Sequence, residues 1–101
     1  MSSCRSSGIK TASSVISSER CKLISIHAQY TGGGDSTFVK LFDNTAASGK
    51  ELLRIVLNDA GSPTSPNCIE FDMHGVICSN GLYLQIETGG STGAAVSVEF
   101  N

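Results

Sequence analysis

The sequence predicts an all-β protein, a single antiparallel β-sandwich of seven or eight strands with a jelly-roll-like arrangement. Apolar and polar residues alternate with a period of two in several short segments, which is typical of strands with one buried and one solvated face. These segments recur at intervals of about ten residues, separated by stretches rich in Gly, Ser, Asn and Pro, as in sandwiches. A jelly roll is one of the two common ways in which eight short strands form such a sandwich.

Size and charge narrow the classes of function. The 101 residues correspond to one domain, 40% of them are hydrophobic and only 16% are charged. The net charge of −2 provides no basic surface, so we expect neither nucleic acid nor a membrane as a partner. No apolar run is long enough to span a bilayer. The first twenty residues lack the apolar region of a secretory signal.

The N-terminal segment is rich in serine, with eight serines in residues 1–20. Such a segment buries too little apolar surface to offset the entropy of ordering it. We therefore expect a flexible arm over residues 1–14 and a sandwich domain over residues 15–101, with Val15 and Ile16 starting a first short strand. The arm is either a frayed terminus or a segment that orders against a partner.

Residues 21–30 form the next expected strand. One predicted face holds Ile24, Ile26 and Ala28, and the other holds Leu23, Ser25, His27 and Gln29. A glycine-rich turn follows at residues 31–35. The segment from Ser36 to Asp43 is then rich in β-branched and aromatic residues and predicts a further strand. Its inward residues are expected to be Val39 and Leu41, with Phe38, Lys40 and Phe42 on the outer face.

Residues 51–57 read as a strand, because so short a segment does not stand as a helix in water. Leu53, Ile55 and Leu57 share one phase, and Leu52, Arg54 and Val56 share the other. Residues 58–67 contain two prolines and predict a long irregular loop.

Residues 67–87 predict three short strands joined by two tight turns. The turns are expected at Gly75 and at Asn80–Gly81, the latter a strong hairpin signal. The expected apolar phase consists of Ile69, Phe71, Met73, Leu82, Leu84 and Ile86. A last strand over residues 94–100 has Val96, Val98 and Phe100 on one phase.

No catalytic residue, cofactor or metal site is predicted. Residues 89–93 match G-x-S-x-G, but a strand follows where a nucleophile elbow requires a helix, and no histidine lies downstream. Glu70, Asp72 and His74 alternate along one strand and are interpreted as a solvated polar face. The four cysteines include no C-x-x-C pair, which disfavours a zinc knuckle, and we favour free thiols over two disulfides.

Several segments resemble, in order, those of small virion proteins of tailed bacteriophages, especially phages of marine and cyanobacterial hosts. The resemblance spans roughly residues 10–101. It rests on Cys-Lys-Leu-Ile-Ser-Ile-His-Ala (21–28), Phe-Val-Lys-Leu-Phe-Asp (38–43), Leu-Leu-Arg-Ile-Val-Leu (52–57), Asn-Cys-Ile-Glu-Phe (67–71), Gly-Leu-Tyr-Leu-Gln-Ile (81–86) and Ala-Val-Ser-Val-Glu-Phe (95–100). Proteins of this kind are similar to capsid cement, or decoration, proteins. A typical such sequence has glycine where this chain has Cys68.

The resemblance implies a non-enzymatic jelly-roll protein that is made in the host cytoplasm and lies on the capsid surface of a virion. It implies a homotrimer that binds the major capsid protein. The expected contact residues are Phe38, Phe42, Leu52, Tyr83, Val15 and Ile16. The alternative is a receptor- or glycan-binding module of a tail fibre or other virion appendage, with Tyr30, Tyr83 and Asp35 as candidate sugar contacts. An enzyme is a third alternative and rests only on Glu70, Asp72 and His74.

Overall fold

Two four-stranded antiparallel β-sheets pack against each other in the computed structural model, which describes residues 4–32, 37–57, 68–88 and 93–101. The strands are β1 (Arg5–Ser6), β2 (Ser14–Ser17), β3 (Cys21–Gly32), β4 (Thr37–Asp43), β5 (Lys50–Leu57), β6 (Cys68–Cys78), β7 (Leu82–Thr88) and β8 (Gly93–Phe100). In these ranges there is no helix with the length and apolar character to cross a membrane. The prediction of an all-β sandwich is confirmed.

The strand order is that of a jelly roll. One sheet has the order β1-β8-β3-β6, and the other has the order β2-β7-β4-β5. The first half of the chain thus pairs in reverse with the second half: β1 with β8, β2 with β7, β3 with β6, and β4 with β5. A long antiparallel hairpin wound into two sheets produces this order.

The core lies between the two sheets and is built from the inward phase of their strands. Its largest fully buried apolar side chains are Leu23, Ile26, Val39, Leu41, Leu57, Leu82, Leu84, Val96 and Val98. Full burial of each such side chain contributes about 1.5–3 kcal/mol. The predicted inward positions Val39 and Leu41 in β4 are confirmed. Of the shared phase Leu53, Ile55 and Leu57 in β5, Ile55 and Leu57 are buried in the core and Leu53 packs partly buried against it.

The predicted faces of β3 are wrong in its first half. Leu23 and Ile26 are both buried, although simple alternation would place them on opposite faces, and Ile24 is only half-buried. The pairing register of β3 with both β6 and β8 shifts between Leu23 and Ser25. Such a β-bulge resets the alternation, so the phase before Ile24 differs from the phase after it.

The predicted turn at Gly75 is also wrong, because β6 continues through it. His74 has φ 56° and Gly75 has φ 84°, so both adopt the left-handed conformation. Their segment opposes the register shift in β3, where Leu23 pairs with Val76 and Ser25 pairs with Asp72. The additional residues of β6 between Asp72 and Val76 therefore form a bulge within one strand, not a turn between two strands.

Asn80–Gly81 forms a connection, but not the predicted hairpin. It joins β6 of one sheet to β7 of the other, and these strands do not share a sheet. Gly81 has φ 125°, whereas Asn80 lacks the positive φ that a type I′ turn requires. The Asn80 backbone N–H instead donates to Asp43 Oδ1 at 2.8 Å, which anchors the connection to the end of β4.

The described part of the serine-rich segment lies along the sandwich. In β1, Arg5 pairs with Phe100, and its guanidinium carbon lies 4.8 Å from the centre of the Phe100 ring. Lys10 and Val96 form a bridge with backbone hydrogen bonds of 2.7 and 2.8 Å. The expected strand at Val15 and Ile16 exists as β2. The predicted loop at residues 58–67 lies outside the described residues, as do residues 33–36 and 89–92.

Candidate functional site

The outer side of the β2-β7-β4-β5 sheet collects most of the predicted contact residues. Phe38 pairs with Val56, and Tyr83 pairs with both Val15 and Phe42. Directly opposed residues share one face of a sheet. Since Val39 and Leu41 point into the core, their neighbours Phe38 and Phe42 lie on the outside. We call the set Val15, Phe38, Phe42, Val56 and Tyr83 the apolar face.

The members of the apolar face differ in how much surface they offer. Val15 is 46% exposed, and Phe38 and Val56 are each 39% exposed. Tyr83 is half-buried. Phe42, however, is only 7% exposed, so the expectation that its ring is available for contact is wrong. Phe42 lies beside Tyr83 on the sheet. It therefore packs within the apolar face and offers little surface to a partner.

Charged and polar side chains border the exposed pair Phe38 and Val56. Glu87 lies opposite Phe38, and Lys40 Nζ lies 3.2 Å from Glu87 Oε1. Arg54 donates two hydrogen bonds to the Glu51 carboxylate, at 3.1 and 3.2 Å. The hydrogen bond to Glu51 and its negative charge raise the pKa of Arg54, which therefore keeps its charge. An apolar centre with a polar rim is the usual composition of a protein interface.

Leu52 and Ile16 are placed differently from the other predicted contact residues. Both are partly buried and pack against the core cluster. Leu52 lies at the register shift of the β4–β5 pairing, where Leu41 pairs with Leu53 and Phe42 pairs with Glu51. The bulge explains why Leu52 departs from the phase of Arg54 and Val56. Val56 was absent from the predicted contacts, because only the register shows that it adjoins Phe38.

The outer side of the opposite sheet carries a polar groove across β8, β3 and β6. Cross-strand pairing forms two rows, Ser97–His27–Glu70 and Glu99–Ser25–Asp72. The Ser25 hydroxyl donates to Glu99 Oε1. These six side chains, with parts of Ile24, Ile26 and Phe71, line the groove. Its three carboxylates give it an acidic character.

A cysteine and a histidine meet at one end of this groove. Cys68 Sγ lies 3.6 Å from His27 Nε2, and Cys68 is exposed. The sequence did not predict this contact, since it depends on the pairing of β3 with β6. A thiol beside an imidazole is the first element of a cysteine nucleophile. Across the four described ranges, however, no three His, Cys, Asp or Glu residues are grouped so as to hold a metal ion.

The row Glu70, Asp72 and His74 does not form a continuous face, because the bulge interrupts it. Asp72 Oδ1 accepts a hydrogen bond from the His74 backbone N–H at 3.0 Å and lies 3.6 Å from His74 Nδ1. The side chains of His74 and Asp72 are 83% and 69% exposed. These residues form a local turn-like contact in solvent, which offers no enclosed place for a reaction.

The candidate sugar contacts are not brought together. Tyr30 lies on β3 and packs against the core, whereas Tyr83 lies on β7 in the other sheet. Asp35 lies outside the described residues. The two described tyrosines therefore do not form a common aromatic platform.

Comparison with known proteins yields no match: no protein-family model, no curated protein and no solved structure is significantly similar to this chain. The apolar face and the polar groove are accordingly interpreted from their own residues.

Proposed function

We propose that this protein is a non-enzymatic structural protein of a phage virion, a cement protein that binds the outer surface of the major capsid shell as a homotrimer and stabilises it. The observation that supports the proposal is the exposed pair Phe38 and Val56 on the outer side of a jelly-roll sheet. Contiguous exposed apolar side chains with a polar rim are typical of surfaces that contact another protein.

The sheet is suited to such a contact because its backbone is already ordered. Val39 and Ile55, the neighbours of Phe38 and Val56 in sequence, are 0% and 4% exposed and hold the two strands against the core. A rigid surface loses little conformational entropy on binding, so more of the burial energy appears as affinity. An aromatic ring at the centre of such a patch is a common binding hot spot.

The charges around the patch favour a defined partner over general adhesion. Lys40 and Glu87 form one ion pair, and Glu51 and Arg54 form another. Complementary charges at an interface rim mainly set orientation and suppress wrong partners. The homotrimer and the capsid partner rest on the resemblance to cement proteins, and the apolar face supplies the surface that those contacts need.

The proposal is tested by oligomeric state and shell binding. Light scattering coupled to size-exclusion chromatography is expected to give three times the 10.5 kDa chain mass. Co-sedimentation with expanded capsid shells of the phage that encodes the protein is expected to show saturable binding. A strictly monomeric protein that does not bind such shells would contradict the proposal. A signal on a glycan array without shell binding would favour the appendage module instead.

A further inference from the structure

Two buried cysteines lie directly opposite each other at one end of the β3–β6 pair. Cys21 is the first residue of β3, Cys78 is the last residue of β6, and the antiparallel register pairs them. Their exposed fractions are 4% and 0%, and both are free thiols in the structure. The Cys78 thiol donates a hydrogen bond to the Val76 carbonyl oxygen at 3.7 Å. The proposed capsid-binding function does not involve these two cysteines.

The position of the pair meets the geometric requirement for a disulfide. Directly opposed residues of an antiparallel sheet have Cα atoms about 4.5–5.5 Å apart. Disulfides join residues whose Cα atoms are about 4.4–6.8 Å apart, so the closed bond fits the native spacing of the two strands. We propose that Cys21 and Cys78 are a redox modification site that closes to an intramolecular cross-strand disulfide under oxidising conditions. The proposal is independent of the virion role.

The oxidant is a small-molecule disulfide of the glutathione type. One protein thiol loses its proton and its sulfur attacks the small disulfide, whose S–S bond breaks and releases one glutathione thiolate. The second protein thiol loses its proton and attacks the protein sulfur of the mixed disulfide. The Cys21–Cys78 bond forms and a second glutathione thiolate leaves. Two protein thiols are oxidised, and one glutathione disulfide is reduced to two thiols.

Burial makes the reaction depend on strand opening. Burial raises the pKa of Cys78 to about 12, with the Cys21 thiol contributing further, so the folded protein holds Cys78 as an unreactive neutral thiol. However, β6 is an edge strand that pairs with β3 alone in its sheet. Its end can separate without breaking a second ladder. The disulfide therefore forms during folding or when the end of β6 frays. While the fold stays closed, its rate of formation is low.

The other two cysteines do not compete for this bond. Cys4 and Cys68 are exposed, and Cys68 pairs across the strands with Gln29 instead of a cysteine. They are the thiols that external reagents reach first. The double variant Cys4→Ser, Cys68→Ser therefore removes both surface thiols and leaves the buried pair unchanged. It serves as the parent protein for the test.

The test is refolding of this double variant from urea, in excess glutathione disulfide or in dithiothreitol. The oxidised sample is expected to lose the mass of two hydrogen atoms and to yield one linked peptide containing Cys21 and Cys78. Its urea midpoint is expected to rise and to return on reduction. Adding Cys78→Ala to the same background is expected to abolish both changes.

Two results would overturn the proposal. The first is that Cys21 and Cys78 both remain free thiols at equilibrium in excess glutathione disulfide. The second is a stable glutathione adduct on either cysteine. Peptide mapping of the oxidised wild-type chain keeps the test independent of the surface substitutions. A Cys21–Cys78 link there supports the site, whereas links through Cys4 or Cys68 in its place contradict it.

Discussion

Phe38 and Val56 lie directly opposite each other on β4 and β5, and each leaves 39% of its surface exposed. On the other face of the same strands, the neighbouring pair Val39 and Ile55 is buried in the core. One strand pair thus presents apolar side chains in both directions. Val39 and Ile55 contribute to the core. Phe38 and Val56 are not needed there, so they are free to contact a partner.

Replacing Phe38 with serine is expected to weaken trimer and shell binding. Loss of an aromatic anchor from an interface commonly costs about 2 kcal/mol or more, so the dissociation constant should rise at least about thirtyfold. Because the ring lies outside the core, the free energy of unfolding should change by less than about 1 kcal/mol. Sedimentation equilibrium and shell co-sedimentation measure the first effect, and urea unfolding measures the second.

Phe71→Ser is the matched control for this experiment. Phe71 is also 39% exposed, but it lies on β6 in the opposite sheet. It is expected to leave both binding measurements unchanged. Equal losses from the Phe38 and Phe71 variants would indicate general adhesion by exposed rings and would contradict the assignment of the apolar face.

Gly81→Ala is expected to destabilise the fold by about 2–4 kcal/mol. Gly81 has φ 125°, and a Cβ atom there would lie 2.8 Å from the Ser17 carbonyl oxygen, a backbone atom that cannot simply rotate away. Gly8 provides the comparison, because it has φ 72° but no atom within 4 Å of the added Cβ. Gly8→Ala should therefore cost only the backbone strain of about 1–2 kcal/mol. Urea unfolding of both variants measures the difference, and equal costs would argue against close packing at Gly81.

Asp43→Ala is expected to loosen the connection between β6 and β7. Asp43 is 9% exposed, and its Oδ1 accepts the Asn80 backbone N–H at 2.8 Å. Removing the acceptor leaves a partly buried donor without its protein partner, which costs about 1–3 kcal/mol. Asp43→Asn retains an acceptor oxygen and should cost less. Hydrogen exchange at the Asn80 amide should be faster in the alanine variant than in the asparagine variant.

The free energy of unfolding is expected to fall at alkaline pH because of Cys78. Burial raises the pKa of this thiol from 9.0 to about 12 in the folded protein. Below pH 9.0 both states are protonated and the contribution is intact; between 9.0 and about 12 only the unfolded chain loses the proton. Stability therefore declines with rising pH in this window, by up to about 1.4 kcal/mol per unit. Urea unfolding of the reduced protein at pH values of about 8 and about 10 measures the decline.

Cys78→Ala isolates this contribution from the other groups that titrate at high pH. The alanine variant should be less stable than the wild type at neutral pH because it leaves a small cavity. Its stability should decline less steeply with pH, so the gap between the two proteins narrows. A constant gap would show that the Cys78 pKa is the same in the folded and unfolded states.

Local alternation explains which predictions from sequence succeed. The inward positions of Val39 and Leu41 follow from a period of two along β4, and the shared phase of Ile55 and Leu57 follows from the same period along β5. The absence of a long helical pattern, together with the regular spacing of turn residues, indicated the sandwich. These features depend only on neighbouring residues, so they are visible in the linear chain.

Bulges explain where the same reasoning fails. Alternation places Leu23 and Ile26 on opposite faces, yet both are buried because the register shifts between Leu23 and Ser25. A turn was expected at Gly75, but a bulge lies there instead, and β6 continues through it as one strand. A bulge inserts residues into one strand relative to its partner, so it can be located only when the partner is known.

The sequence by itself determined the all-β class and the inward phase of the regular strands, since hydrophobic alternation is a local property. The tertiary structure decided which strands pair, and that pairing created the apolar face, the polar groove and the buried cysteine pair. Phe38 meets Val56, Cys21 meets Cys78, and His27 meets Cys68 although 41 residues separate the last two. Such contacts follow from strand order and register, which are set by burying two sheets against each other and not by any single segment.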